Sequence, residues 1–582
     1  MNFLKIASIS LALLLTFSGC NKVKSKPITL NVIHMNDIHS HLDEEPLTLN
    51  FDDVALRVDA GGYPRIATTI KELQNSYDNT LLLNAGDALQ GTLYYTLFKG
   101  EVDAKMMNAL PWDIFVLGNH EFDDGDENLE RFLNELHVPV ITANVYADDT
   151  SVLFDQWKPY TIHYYEGEAV GIIGIDTAKA TKESSNPGKT IEFFNEIATA
   201  QKYIDELEAM DVNKIILLTH FGYENDRNLS LHVRGADVIV GGHSHTLMGD
   251  FESFGLSSKL AYPQESYDLD GSKVCIVQAG SFAKIVGHLE VAFDASGEVL
   301  TCKGTPHLGI SNNFMIKNAQ GKYEDINASL RHNVEESIAK RADVAIVEKD
   351  PELQAILESY KAKVDEKKNE SIGDAKETIV HIRVPGQDYG GNSGADYPLG
   401  SDVVPIVAKA FYERVNLSDA VILNAGGVRT NINEGTISID TAYTLLPFSN
   451  TLIMIVMRGD EIQAVLEDAL SSDDGAFPYA YALRYDVDIS EAKGSRISNL
   501  EIFDKNEKKY VEVVTDKTYI ITTISYLAYG KDGYTSFATL KGTDTYFDYA
   551  NSFVNYVKAL HVKGESLQKL PAQEHCIKSY KE

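Results

Sequence analysis

Aliphatic runs that stop on ligand-type side chains recur through the first half of the chain, and they restrict the fold more than any other feature. ITLNVIHMND (28–37), NTLLLNAGD (79–87), WDIFVLGNH (112–120), NKIILLTH (213–220) and ADVIVGGHSH (236–245) share this design. AVGIIGIDT (169–177) and KVCIVQAG (273–280) are further runs of the same kind. Such short continuous apolar stretches read as strands buried on both faces. Between them, YPRIATTIKELQNSY (63–77) and IEFFNEIATAQKYIDELEAM (191–210) space their apolar residues by three and four, which predicts helices. The expectation is a layered α/β domain whose strand ends, not interiors, carry the chemistry.

Those ends bring together Asp37, His39, Asp87, Asn119, His220, His243 and His245. In extended backbone, Asp37 with His39, and His243 with His245, would point to one side. Alone, each is a weak signal: a single Asp after a strand is ordinarily a turn former, and a single His is ordinarily structural. Recurrence in five segments reverses that reading. Oxygen and imidazole donors suit a borderline divalent ion better than a thiolate site would. Seven candidate ligands exceed what one catalytic ion uses, because such an ion keeps an open position. The expected arrangement has Asp87 bridging two ions, with Asp37, His39 and His245 on one and Asn119, His220 and His243 on the other. Zinc is the first choice, with manganese, cobalt or magnesium as alternatives. His120 and Asp123, three apart, can face one another in a first helical turn. Asp123 would then orient His120 to stabilise a transferring phosphoryl group. His34 and His41 fit no distinct role and are left as surface or supporting residues.

Charge limits the partners. Lys and Arg total 52 against 85 Asp and Glu, a formal charge of −33, which disfavours capture of nucleic acid or an anionic surface. An anionic substrate therefore needs a local positive centre. The N-terminus, MNFLKIASISLALLLTFSGC, has one Lys, a short apolar run and small residues before Cys20, the pattern of a secretory leader with a lipidation site. Ordinary cleavage nearby is the alternative. Lipidation would confine membrane contact to an acylated N-terminus and place the chain in the periplasm as a lipoprotein. Cys275 and Cys302 are free to pair in an exported protein, but nothing in the sequence decides it.

NDIH (36–39), NAGD (84–87), GNHEFD (118–123), TH (219–220) and GHSH (242–245), in this order, resemble the bacterial 5'-nucleotidase family of dinuclear metallophosphoesterases, nearest to its periplasmic NAD-cleaving branch. The resemblance covers nearly the whole chain after the leader. It implies a four-layer N-terminal metallophosphoesterase domain with central β-sheets, a C-terminal α/β substrate-binding domain, and the metal and His120–Asp123 roles above. The expected limits are a leader at 1–20, a catalytic domain at 28–345, a solvated linker helix at 346–370 and a substrate domain at 371–582.

In that second part, DVVPIVAKAFYERV (402–415) predicts a helix, DAVILNAGG (419–427) a strand, and TLIMIVMRGDEIQAVLEDAL (451–470) a strand followed by a helix. Arg429 suits a phosphate or carboxylate through its planar donors. Phe448 and Tyr526, if opposed, could hold a base, with stacking worth about 1–3 kcal/mol, and Asp532 could accept from ribose hydroxyls. The resemblance implies the same aromatic pair and adds contacts from Asn424, Arg429, Asn450 and Asp532. The chain departs from the family's usual spelling: AGGVR stands for GGGIR, and GKDGY, with Lys531, for GGDGY. A further phosphate-binding Arg is missing from QDYGGNSGADYPLGSDV (387–403), leaving Arg383 as the nearest candidate. AFPYA (476–480) belongs to the likeness without a derivable role.

The activity expected is metal-dependent hydrolysis of exported nucleotides, NAD to AMP plus nicotinamide mononucleotide and AMP to adenosine plus phosphate. A broad 5'-nucleotidase or UDP-sugar hydrolase is one alternative. A non-catalytic lipoprotein that binds nucleosides or metal is another. Expected partners are small nucleotides, with no nucleic acid, and a monomeric or weakly dimeric state.

Overall fold

Two central sheets place the polar strand ends on one edge. In this computed structural model the described residues are 25–581 apart from 52–53, 257, 259, 319–322, 390–391, 449 and 473. The leader and Cys20 lie outside them. The strand Ile28–Met35 sits inside the larger sheet, antiparallel to Ile285–Phe293 and parallel to Thr80–Asn84, with Ile114–Val116 and Val140–Ile141 beyond. The second sheet carries Glu168–Asp176, Ile215–His220, Val238–Val240 and Lys273–Val277 as parallel neighbours.

Alternation along these strands fills three separate spaces. Leu30, Val32, Leu81, Leu83, Ile114 and Val116 meet Val170, Ile172, Ile216, Leu218, Val238 and Val240 between the sheets. Ile33, Leu82 and Phe115 turn the other way, into the core that includes Ile66 and Ile70 of the helix Tyr63–Ser76 and Phe132 of the helix Asp126–Glu135. Ile173, Ile215, Leu217 and Ile239 pack on Ala200, Ile204 and Leu207 of the helix Glu196–Ala209. The layers are thus helix, sheet, sheet, helix. Each fully buried aliphatic side chain adds about 1.5–3 kcal/mol, so the strand interiors have no room for polar groups.

Register then aligns the rim. Met35 lies opposite Asn84, Asn84 opposite Phe115, and Leu218 opposite Val240. The carboxyl ends of parallel strands from both sheets therefore open at one edge, the usual ligand position in such folds. Cys275 of the second sheet is bonded to Cys302 in the strand Val299–Ile310 of the first, a cystine that ties the sheets together.

Two expectations change. The periodic stretch 191–210 is not all helix: Ile191–Phe193 pairs with Val145–Ala147, and the helix begins at Glu196 after Asn195, whose side chain accepts from the Ala198 amide. The helix Pro351–Lys368 is not a solvated connector. Asp350 caps it, and Leu353, Leu357, Tyr360 and Val364 are buried, in contact with the helices Tyr63–Ser76 and Glu101–Asn108. Beyond it, the strands Pro478–Tyr481, Ala420–Asn424, Thr518–Ile524, Thr451–Arg458 and Gly542–Asp548 form a sheet in that order. The helices Val403–Arg414 and Tyr549–Val562 pack beside it. Among the described residues no helix is long and apolar enough to cross a membrane.

Candidate metal centre and nucleotide cleft

Side chains from all five loops converge. Asp37, His39 and His245 have ligand atoms within 4.8 Å of one another, as do Asp87, His220 and His243, and His39, Asp87 and His120. Asp37 Oδ1 lies 3.3 Å from His245 Nε2, and Asp87 Oδ2 lies 2.9 Å from His220 Nε2 and 3.7 Å from His39 Nε2. Asn119 Oδ1 is 2.9 Å from His243 Nδ1. A cation fits this donor set. His39 Nε2 and His245 Nε2 face each other at 3.0 Å, the buried Asp87 Oδ2 and His220 Nε2 stand 2.9 Å apart, and the buried His120 Nε2 has no hydrogen-bond partner. Buried polar atoms left in that state call for a ligand. Asp87 belongs to two of the clusters, so the His and Asp groups form a bridged, two-metal binding site.

The local backbone differs from the extended alternation expected of Asp37–His39 and His243–His245. Asp37, His39, Asp87, His243 and His245 all adopt left-handed conformations, with φ of 52°, 50°, 53°, 73° and 51°. Non-glycine residues rarely sit there, and a group of them held by its surroundings marks a functional site. The surroundings do hold them. Asp37 N donates to Gly86 O and His39 N to Asp87 O, each at 3.0 Å. His243 N donates to the Asp37 carboxylate at 3.0 and 3.1 Å. The Glu121 carboxylate accepts from the amides of Asp87, Ala88, Leu89 and Gly118 at 3.0, 2.8, 3.1 and 2.7 Å. Glu121 is a positioning residue that sequence reasoning passed over, although it stands inside GNHEFD. Gly118 must be glycine, because a Cβ there would meet Asp87 Oδ1 at 2.3 Å.

His120 and Asp123 do meet. His120 Nδ1 lies 2.6 Å from Asp123 Oδ2, its amide donates to Asp87 Oδ1 at 2.9 Å, and its buried Nε2 has no partner. Burial lowers its pKa, but Asp123 and Asp87 outweigh burial and hold it up to about 9. His34 is fully buried, 2.8 Å from Tyr262 Oη. His41 pairs with Glu45 and packs on Phe282, ring centroids 4.2 Å apart.

The C-terminal domain reaches the same rim through Tyr546, which no local pattern announced. Its ring lies 4.6 Å from that of His243 and 5.4 Å from those of His120 and His245. Asp544, bonded to Thr451 Oγ1 at 2.7 Å and to the Tyr546 amide at 2.8 Å, fixes its loop.

A separate cavity of about 800 Å³ gathers Asn424, Arg429, Phe448, Asn450, Tyr526, Asp532 and Arg383. Phe448 and Tyr526 are 45% and 42% exposed, so both side chains are accessible from the cavity. Asn424 Nδ2 and Tyr526 Oη donate to the two Asp532 oxygens at 2.7 and 2.8 Å. Asn450 Oδ1 accepts from the Tyr526 amide at 3.1 Å. The Arg429 guanidinium lies 5.5 Å over Phe448. Lys531 costs the turn little, since the positive φ values there fall on Gly530, Asp532 and Gly533. AFPYA also acquires a role. The buried Tyr479 Oη accepts from the Ser401 amide at 2.8 Å and lies 3.2 Å from the carbonyls of Ile382 and Arg383, which sets the backbone that presents Arg383.

Known proteins resemble this chain over most of its length. The calcineurin-like phosphoesterase family model matches residues 30–247. The 5'-nucleotidase C-terminal domain model matches residues 388–539. The NAD 5'-nucleotidase of Haemophilus influenzae is 36% identical over 550 residues, covering 92% of this chain and 90% of that protein. Among solved structures, the Haemophilus influenzae NAD nucleotidase superposes with a TM-score of 0.80 at 34% identity, over 96% of this chain and 99% of that one. The 5'-nucleotidase precursor of Thermus thermophilus gives 0.57 at 32% identity, over 95% and 99%. With its bridged His and Asp centre, the chain belongs to the 5'-nucleotidase family and is a metal-dependent phosphoesterase with a calcineurin-like N-terminal domain and a 5'-nucleotidase C-terminal domain.

Proposed function

We propose that the protein hydrolyses NAD at its pyrophosphate, yielding AMP and nicotinamide mononucleotide, and then AMP to adenosine and phosphate. The observation that carries this reading is the pairing of a bridged metal centre with an aromatic, Asn- and Arg-lined cleft in one chain. Similarity to the NAD 5'-nucleotidase of Haemophilus influenzae supports the choice of NAD.

In this reading Asp37, His39 and His245 hold one ion, Asn119, His220 and His243 the other, and Asp87 joins them. Zinc is the proposed metal, with manganese, cobalt or magnesium as alternatives. Two such ions, when bound, activate water and neutralise phosphoryl oxygens. His120, oriented by Asp123, points its free Nε2 at the same rim, where it can bond a phosphoryl oxygen or protonate the leaving oxygen. Phe448 and Tyr526 take the base, Asp532 and Asn424 the ribose, and Asn450 fixes Tyr526. Arg429 and Arg383 meet phosphate.

The catalytic domain is assigned to 28–345, the linker helix to 346–370 and the substrate domain to 371–582, with motion near 351–375 carrying substrate between cleft and metals. The leader, the Cys20 site and the cystine favour an exported, lipid-anchored periplasmic protein, and a monomer or weak dimer is the proposed state.

A substrate panel of NAD, AMP, UDP-glucose and 2',3'-cyclic nucleotides, with each metal and with product identification, tests the proposal. AMP and nicotinamide mononucleotide from NAD are the expected products. Turnover of AMP without cleavage of NAD would restrict the activity to mononucleotides, and binding without phosphate release would make the protein a carrier.

A further inference from the structure

The cavity that holds Phe448 and Tyr526 is lined by residues of the N-terminal domain as well. The hairpin of strands Glu45–Phe51 and Val54–Ala60 sets Arg57 opposite Thr48, and both line the cavity, with Lys284 and Tyr323 beside them. Arg57 is half-buried, and its guanidinium lies 5.0 Å over the Tyr323 ring. Among the described residues it makes no ion pair. Arg383 lines the same cavity; among the described residues it too makes no ion pair, and its Nε is buried without a hydrogen-bond partner.

The carboxylates lining this space are already engaged. Glu45 is held by Lys284 at 2.8 Å and by His41, and Asp532 accepts from Asn424 and Tyr526. Arg57, Arg383 and Arg429 therefore outnumber Asp532, whose hydrogen-bond partners are neutral, and leave net positive charge in this cavity of a chain whose formal charge is −33. A buried donor without a partner is costly, and guanidinium groups converging on one cavity match the oxygens of a phosphate or diphosphate. The metal centre does not supply this charge. Phe282 adjoins both neighbourhoods, its ring 5.2 Å from Lys284 Nζ and 5.3 Å from the His245 ring.

We propose that Arg57, held by Tyr323 and acting with Arg383, binds the phosphate or diphosphate of a nucleotide whose base occupies the clamp, so that the catalytic domain contributes a phosphate contact away from the metals. This rests on the nucleotide reading of the cleft, because only a ligand seated between Phe448 and Tyr526 brings its phosphates to these residues. Tyr323 is a positioning residue.

The test is steady-state kinetics of the metal-loaded enzyme on AMP and NAD, with adenosine as competitive inhibitor. For Arg57→Gln, KM rises about tenfold on both substrates, and the adenosine Ki is unchanged because adenosine has no phosphate. Arg57→Lys recovers part of the loss. An unchanged KM in Arg57→Gln, with adenosine still competing, overturns this inference alone. If adenosine does not compete with the wild type and Phe448→Ala leaves KM unmoved, the nucleotide reading falls and the inference falls with it. A loss that extends equally to adenosine also overturns it, because Arg57 would then only support the fold.

Discussion

Asp87 carries the most at the level of single residues. Its Oδ2 faces His220 and His39 while its Oδ1 accepts from the His120 amide. Asp87→Asn keeps the shape and removes the bridging charge. It is expected to hold less than one ion per chain where the wild type holds two, with hydrolysis down at least about a hundredfold; elemental analysis and phosphate release measure both, and two retained ions with normal turnover would contradict bridging. Phe448→Ala is expected to raise KM roughly tenfold, from lost stacking, with little change in metal content. Glu121→Gln replaces one carboxylate oxygen with a donor among four amides. That change should cost about 1–3 kcal/mol and loosen the metal, seen as a lower Tm and a weaker metal Kd. That these seven side chains gather at one rim was legible because the aliphatic runs lead into the loops that carry them. Glu121 was not singled out, because an acid in a motif gives no local sign of four amides gathered from two loops. Nor could the pattern reveal the left-handed backbone at Asp37 and His39, which follows from the way their loop is tied to the one carrying Asp87.

At the level of elements, the helix Glu101–Asn108 buries Asp103, 2% exposed, in the core. Burial pushes its carboxyl up to about 7, with Ser40 giving partial relief. A raised acid pKa means stability that is complete below the unfolded value and is lost as pH rises through the folded one. The loss between about pH 4 and pH 7 is on the order of 4 kcal/mol. Asp103→Asn is therefore expected to flatten the Tm profile across that window and to be the more stable form at pH 8; an unchanged slope in thermal melts would contradict it. The sheets were readable from their runs, and so was the four-layer arrangement through family likeness. The helix Pro351–Lys368 was misread because its surface charges outnumber the four residues it buries, and no composition shows that other helices cover that face. The strand Ile191–Phe193 was hidden in a helical period, which three residues cannot break.

Across the whole molecule, the two domains meet at two places. Tyr546 packs on imidazoles of the centre, and Arg57 and Tyr323 line the cavity that holds Phe448 and Tyr526. Both lie in segments without a motif, so their importance arises only from contacts between parts distant in the chain. Tyr546→Ala should open the rim and speed metal transfer to a chromogenic chelator several-fold, and an unaltered rate would show that the ring does not shield the centre. The central claim is that the strand ends of two sheets assemble a pair of ions. Anomalous diffraction from crystals of the metal-loaded protein, recorded at the metal's absorption edge, tests it most directly. Two peaks about 3.5–4 Å apart are predicted, one beside Asp37, His39 and His245, the other beside Asn119, His220 and His243, with Asp87 touching both. A single peak, or peaks elsewhere, would contradict it.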